Sequence, residues 1–532
     1  MTRTVDQPEE APVTTGTVSV TDRSLGTISP LVFGGMIEHF GRTVYPGVWD
    51  VERDGVRADT REAAARMGVR LLRYPGGCFS CDYHWRDGVG PRSERPTVAE
   101  TFWTGLPHRM AGFGADSQLA SGAEALGRLI GPAETNAFGT DEFLQYCLDI
   151  DAEPFLVVNI GTGTPEEAAD WVRYCNVDRK SPRTVTWWSI GNETWGSHEY
   201  GHDTPSAYGE RVAEFARAMR LVDPAIKLVA VGLPVSDGTE IMASGEEGLG
   251  LTTYAAREWN SGVLKACGDV IDLLSVHWYF PGMIGRALDN ENDLLQLNTS
   301  PDQLAEILRD TAAFNDEMVP GRDIGLSLDE WNRMVQFDDH LSTNHPLGNA
   351  AFFAGCYNAL LANAERAPIA VISHLVNCLA PIQTDDDRLF GTAAFLVAQL
   401  YEAHARGTSL AVDVEAAAID VPPLDRLAPD AMTLGDVSSP RQAPVLSASA
   451  TRHGDETSVF LVNRSVAEAA EVSVLGAADG EAIVRWIDGP DLWAVNTLDA
   501  PETLTVREKR VVVAQGRVVV TVPPCGVAVL TR

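Results

Sequence analysis

Nowhere does the chain hold the roughly 18 consecutive apolar residues that a membrane span needs. Its first stretch, Met1 to Gly16, is polar and acidic, without the apolar core of a secretory signal. The expected location is therefore cytoplasmic, with no membrane partner. Positive charge is scarce: 41 Lys and Arg stand against 74 Asp and Glu, a net charge of −33 at pH 7. Nucleic acid and anionic membranes repel such a polyanion, so neither is an expected partner, whereas a neutral substrate suits it. Cysteine is sparse too. Eight are spread over 532 residues, several inside apolar runs, which is the usage of reduced, buried thiols. Cys78 and Cys81 form a C-x-x-C, but no second pair stands at zinc-ligand spacing, and no metal or cofactor is expected. No G-x-G-x-x-G follows the first strand-like run, which leaves an open dinucleotide-binding sheet without support.

What is present is alternation. Eight apolar runs read as strands: Leu31–Ile37, Val69–Tyr74, Pro154–Ile160, Thr184–Ile190, Lys227–Val231, Ile271–Trp278, Ile324–Leu328 and Ala370–Asn377. Amphipathic segments lie between them, among them Thr60–Met67, Thr140–Ile150, Pro165–Tyr174, Pro205–Leu221 and Pro301–Asn315. Eightfold strand–helix alternation is the pattern of a closed (β/α)8 TIM barrel. After about residue 405 the helical pattern gives way to short strands separated by turn residues, from Leu446–Ala450 to Gly526–Leu530. That module reads as an all-β sandwich, which the strand-like Thr15–Val20 completes from the other end of the chain. The expected division is an N-terminal segment over 1–29, a catalytic barrel over 30–404 and a C-terminal β-sandwich over 405–532. Glu100–Gly131 fits neither pattern; this long Gly-, Ala- and aromatic-rich stretch is expected on the catalytic face after strand 2.

Two of the strands end in carboxylates. Thr186-Trp187-Trp188-Ser189-Ile190-Gly191-Asn192-Glu193 closes strand 4, and Leu328-Asp329-Glu330-Trp331-Asn332 closes strand 7. The C-terminal ends of barrel strands carry the chemistry of this fold. Glycosidic-bond hydrolysis needs one protonated carboxyl to serve the leaving oxygen and one ionised carboxylate to attack or activate water. Two strand-terminal glutamates beside aromatics and asparagines meet that requirement. Burial of Glu193 among Trp187, Trp188 and Trp195 is expected to favour its neutral acid form. Asn192 is placed to donate to a sugar 2-hydroxyl, and Tyr279 to hold Glu330 by a phenolic hydrogen bond, with His277 doing the same or facing the pocket. The two carboxyl groups are expected about 5 Å apart, the spacing of a retaining enzyme.

Several blocks in order resemble α-L-arabinofuranosidases of glycoside hydrolase family 51, a retaining family of (β/α)8 barrels. They are Phe33-Gly34-Gly35-Met36-Ile37-Glu38-His39-Phe40-Gly41-Arg42, Tyr74-Pro75-Gly76-Gly77-Cys78-Phe79, Tyr83-His84-Trp85-Arg86-Asp87-Gly88-Val89-Gly90-Pro91-Arg92, Phe138-Gly139-Thr140-Asp141-Glu142-Phe143, Trp188 to Glu193, His277-Trp278-Tyr279 and Asp329-Glu330-Trp331-Asn332. The resemblance implies that Glu193 is the general acid/base and Glu330 the nucleophile. It implies that Glu38 binds sugar hydroxyls and that Cys78 lines the subsite of the terminal sugar. Asn192, His277 and Tyr279 complete the expected substrate-binding set. The implied substrate is an arabinose-containing oligosaccharide trimmed from its non-reducing end, and the implied assembly a homo-oligomer, commonly a hexamer.

The chain departs from the family pattern in three places. Many relatives carry a glutamine beside the Leu-Val-Asn of the last strand; here the run is Ser373-His374-Leu375-Val376-Asn377, and the nearby glutamine is Gln383. The Glu100–Gly131 stretch exceeds the family's usual loop. Arg333-Met334-Val335-Gln336 replaces an aromatic stretch on the leaving-group side. Related barrels share the two-glutamate layout, so the same machinery on another sugar (a galactofuranosidase or β-1,4-glucanase) is an alternative, as are transglycosylation, which depends on the aglycone side, and a non-catalytic carbohydrate-binding barrel.

Overall fold

The computed structural model describes residues 13–109, 133–179, 181–236, 254–283, 286–334, 344–427, 432–433 and 437–532. Eight parallel strands close into a barrel: β1 (Gly34–Met36), β2 (Leu71–Tyr74), β3 (Glu153–Val158), β4 (Trp187–Ile190), β5 (Lys227–Val231), β6 (Leu273–Phe280), β7 (Gly325–Arg333) and β8 (Ile369–Ile372). Each pairs with its neighbours in chain order, and β8 closes on β1. The strands read as apolar runs because both faces are covered. Met36, Leu71, Phe155, Val229, Leu273 and Val371 fill the inside, while the outward residues pack against the helix ring.

Helix starts are set locally. Thr164 and Thr204 each accept a backbone N–H three residues on, with Pro165 and Pro205 at the first helical position, where the missing N–H costs nothing. Boundaries differ from the sequence reading mainly at β1, β7 and β8. Leu31 and Val32 form a 3-10 turn instead of strand, β7 runs on through Arg333, and β8 stops at Ile372. The last two shifts matter to the pocket, because the residues beyond Leu328 and Ile372 supply its floor.

The register between β6 and β7 carries an irregularity. Ser275 faces Ser327, but His277 already faces Glu330, so β7 holds one extra residue. A bulge of this kind turns successive side chains to one side. Asp329 and Glu330, adjacent in sequence, consequently both approach Arg73.

The C-terminal module is a nine-stranded, mostly antiparallel sheet. The N-terminal strand Val13–Thr27 joins it, antiparallel to Thr408–Ala416 and parallel to Ala469–Leu475. The strand Thr408–Ala416 has no counterpart in the sequence reading. Val513 and Val484 from one end of the strand order share an apolar cluster with Val474 and Val520 from the other, so the sheet bends over its own core. Its outer face packs on the barrel helices: Phe460 lies 4.4 Å from Tyr401, centroid to centroid, and Ser449 and Tyr401 both donate to Asn358.

Candidate active site

The pocket is built around one buried guanidinium. Arg73, at the end of β2 and 1% exposed, donates to Oε1 of Glu330 at 2.6 Å and to Oδ1 of Asn192 at 2.8 Å. Its Nε lies 3.6 Å from Asp329. Burial opposes the charge, but Glu330 and Asp329 outweigh it and hold Arg73 firmly protonated. Tyr279, at the end of β6, donates to the other oxygen of Glu330 at 2.7 Å. Burial and the Glu330 charge raise that phenol well above its usual range, so it stays a donor. Glu330 thus has one donor on each oxygen.

Glu193 faces it. The turn after β4 passes through Gly191 and puts Glu193 in the left-handed region (φ 40°), a conformation costing of order 1 kcal/mol for a residue with a side chain. His277 Nδ1 lies 2.8 Å from its Oε1 and His198 Nε2 3.1 Å from its Oε2. An oxygen of Glu193, one of Glu330 and a ring nitrogen of His277 all lie within 4.8 Å of one another. Glu193 differs electrostatically from the sequence expectation. Burial pushes its proton affinity up, as reasoned from the tryptophans, but the hydrogen bonds and charges of His198 and His277 outweigh burial and hold the carboxyl below its ordinary range. Trp188 meanwhile packs outward against Trp171. The shared proton sits on the imidazole side: burial lowers His277, but Glu330 and Glu193 dominate and push it up to about 9.

Asn192 is held at both ends of its amide. Arg73 fixes the oxygen; Nδ2 donates to Glu199 Oε1 at 3.2 Å and approaches Cys78 Sγ at 3.7 Å. One N–H is therefore only weakly engaged, at the thiol. Cys78, Glu193, His277 and Tyr279 are partly exposed and ring the opening, with Glu330 beneath them at 7% exposure.

Two glycines allow this closeness. A Cβ on Gly77 would sit 2.3 Å from Glu330 Oε1, and one on Gly76 (φ 142°) 2.2 Å from Glu38 Cγ. Glu38, at the end of β1, makes no ion pair with Arg42 or Arg73. It accepts from the Phe79 backbone N–H at 3.1 Å and meets His374 Nε2 at 2.7 Å. His374 therefore stands where the family glutamine was sought. Gln383 turns away, donating to the carbonyls of Asn377 and Ala380.

All seven residues singled out in the sequence lie on this face; His277 lies closer to Glu193 than to Glu330, with 3.7 Å to the latter. Residues not foreseen are Asp329, His198, Glu199 and Ser275, the last donating to Asp329. Of the long Glu100–Gly131 stretch, a helix over Phe102–Arg109 opens it, its first turn capped by the Glu100 carboxylate. Trp103 in that helix lies edge-on to Phe40, which stacks on His374. Residues 110–132 and 335–343, the latter including Val335 and Gln336, lie outside the described residues.

With this geometry in place, the comparisons with known proteins are concordant. Residues 63–261 match the α-L-arabinofuranosidase 1 domain, and residues 329–525 the α-L-arabinofuranosidase C-terminal domain. A probable α-L-arabinofuranosidase C of Aspergillus clavatus is 28% identical over 509 residues, covering 89% of each chain. An intracellular exo-α-(1->5)-L-arabinofuranosidase of Streptomyces lividans is 30% identical over 403 residues, 68% of this chain and 53% of its own. The solved α-L-arabinofuranosidase of Thermotoga maritima, in its arabinose complex, aligns with a TM-score of 0.79 at 28% identity, over 97% of this chain and 99% of that one. The thermostable family 51 α-L-arabinofuranosidase of Thermotoga petrophila RKU-1 gives 0.76 at 27% identity, over 97% and 100%.

Proposed function

The chain belongs to the α-L-arabinofuranosidases of glycoside hydrolase family 51, and on that premise we propose that it removes terminal α-L-arabinofuranosyl units from oligosaccharides by double displacement through Glu330 and Glu193. As a glycoside hydrolase acting on arabinofuranosides it needs a nucleophile and an acid/base. The observation that carries the assignment is the contrast between two close carboxyls. Glu330 is fixed on both oxygens by Arg73 and Tyr279, and Glu193 is bracketed by two imidazoles.

In the first step Glu330 attacks the anomeric carbon, and the aglycone oxygen leaves with a proton from Glu193. In the free pocket that proton rests on His277, 2.8 Å from Glu193. Moving it along this hydrogen bond yields neutral imidazole and neutral acid, and charge developing on the leaving oxygen draws it onward. In the second step Glu193 takes a proton from water, which releases arabinose from Glu330. A carboxylate oxygen pair within 4.8 Å supports the retaining course, since an inverting pair leaves about 6.5–9.5 Å for its water. The weakly engaged N–H of Asn192 supplies the contact to the sugar 2-hydroxyl, and the partly exposed Cys78, Glu193, His277 and Tyr279 are the groups that meet the terminal sugar. A cytoplasmic location and a homo-oligomer, hexameric as the resemblance implies, complete the reading; sedimentation equilibrium checks the latter.

The test is turnover across a panel of nitrophenyl glycosides and arabinan- and arabinoxylan-derived oligosaccharides. Preference for α-L-arabinofuranosides with release of free arabinose is expected; a clear preference for galactofuranoside or β-glucoside overturns the choice of sugar.

A further inference from the structure

Behind the acid/base lies a carboxyl that this mechanism leaves unused. Glu199 follows Glu193 by six residues on the loop after β4. Its residue is 4% exposed, and its side chain has no solvent contact. Its Oε1 accepts from Asn192 Nδ2 at 3.2 Å and lies 3.6 Å from His198 Nε2. That same Nε2 is 3.1 Å from Glu193 Oε2. Two carboxylate oxygens, which only accept, face Nε2, so Nε2 carries the hydrogen, and one N–H serves two acids. The titratable groups facing Glu199 are Cys78 and Cys81 from the loop after β2, and Glu193 and His198 from its own loop. No Arg or Lys pairs with it among the described residues.

We propose that Glu199 is a positioning residue for this pocket: it orients the Asn192 amide toward the sugar and competes with Glu193 for the His198 N–H, thereby setting how firmly Glu193 holds its proton. The proposal rests on the acid/base reading of Glu193. The first half follows from the clamp. With Arg73 on Oδ1 and Glu199 on one Nδ2 hydrogen, the remaining N–H of Asn192 has a single direction, past Cys78 into the opening. The second half follows from the shared hydrogen. An ionised Glu199 draws the His198 N–H off Glu193 and adds negative charge nearby, and both effects strengthen the hold of Glu193 on its proton. A neutral Glu199 releases the N–H to Glu193, which then ionises more readily. Burial pushes Glu199 up to about 7, with the His198 charge and the neighbouring thiols opposing, so its ionisation falls within the working range of a cytoplasmic enzyme.

The test compares Glu199→Gln and Glu199→Ala with wild type on 4-nitrophenyl α-L-arabinofuranoside and on an arabino-oligosaccharide. Glu199→Ala frees the Asn192 amide, and kcat is expected to fall about 10-fold on both substrates with KM within about 2-fold, the pattern of a lost transition-state contact. Glu199→Gln keeps an oxygen for Asn192 but no charge. It restores kcat at the optimum, while the alkaline limb of kcat/KM moves down by about half a unit to one unit. A Glu199→Ala enzyme with wild-type kcat, or a Glu199→Gln enzyme whose pH profile superposes on wild type, overturns the proposal. If the alanine variant unfolds, the glutamine variant decides alone. Glu193→Ala, made in parallel, separates this from the parent reading: if it still cleaves the oligosaccharide at the wild-type rate, the acid/base assignment itself fails, whatever Glu199 does.

Discussion

His277 Nδ1 lies 2.8 Å from Glu193 and 3.7 Å from Glu330, so a single imidazole from β6 addresses both carboxylates of the pocket. Its raised proton affinity has a sign for stability. A group raised from 6.5 to about 9 in the fold contributes stability fully present below pH 6.5 and lost as pH climbs toward 9. Glu193, depressed below its ordinary 4.5, contributes stability present above pH 4.5 and lost as pH falls through its folded value. Thermal unfolding in a series of buffers should therefore show its maximum between about pH 4.5 and 6.5, and His277→Gln should flatten the alkaline decline.

The roles of the two glutamates separate by rescue with azide. Glu193→Ala should lose about 10²–10⁴ in kcat on oligosaccharides and much less on a dinitrophenyl arabinofuranoside, whose leaving group needs no proton. Added azide should restore turnover with an arabinosyl azide of retained configuration. Glu330→Ala should be inert without azide and give the inverted azide with it. Chromatography and NMR of the azide products read both outcomes.

Gly77 is where the β2 loop grazes Glu330. A methyl there meets Glu330 Oε1 at 2.3 Å, and Glu330, pinned by Arg73 and Tyr279, has no free side to yield toward. Gly77→Ala should keep the fold, since only the pocket is crowded, and lower kcat about 100-fold through misplacement of the reacting oxygen. Circular dichroism and steady-state kinetics check the two halves.

Arg73 neutralises a pocket that holds Asp329, Glu330 and Glu193. Arg73→Met leaves two buried carboxylates without their cation and should destabilise the protein by about 3–5 kcal/mol as well as abolish activity. Arg73→Lys should recover part of the stability but little of the rate, because an ammonium cannot span Glu330 and Asn192 as a planar fork does. Denaturant unfolding of both variants measures the difference.

How much of this the sequence showed depended on whether a residue sits in a periodic element. The barrel, the paired strand ends and Glu193 with Glu330 were legible because the mainly apolar runs Thr184–Ile190 and Ile324–Leu328 are each followed within three residues by an acid. Tyr279 and its bond to Glu330 followed from strand position in the same way. The state of Glu193 was misread, since Trp188 packs outward against Trp171 and the deciding imidazoles come from β6 and from the loop. His198 and Glu199 lie in that aperiodic loop, where nothing local marks a carboxyl as buried. Asp329 was hidden by the bulge: strict alternation turns it away from Glu330, and only the irregular register of β7 brings both to Arg73. His374 shows the converse, a departure visible in sequence whose compensation, a bond to Glu38, required the fold.

The central claim, double displacement at an arabinofuranoside, is tested most directly by the anomer first released. Proton NMR of 4-nitrophenyl α-L-arabinofuranoside mixed with a large amount of enzyme resolves arabinose before it mutarotates. The account predicts that α-L-arabinofuranose appears first. Initial release of the β-anomer would contradict it.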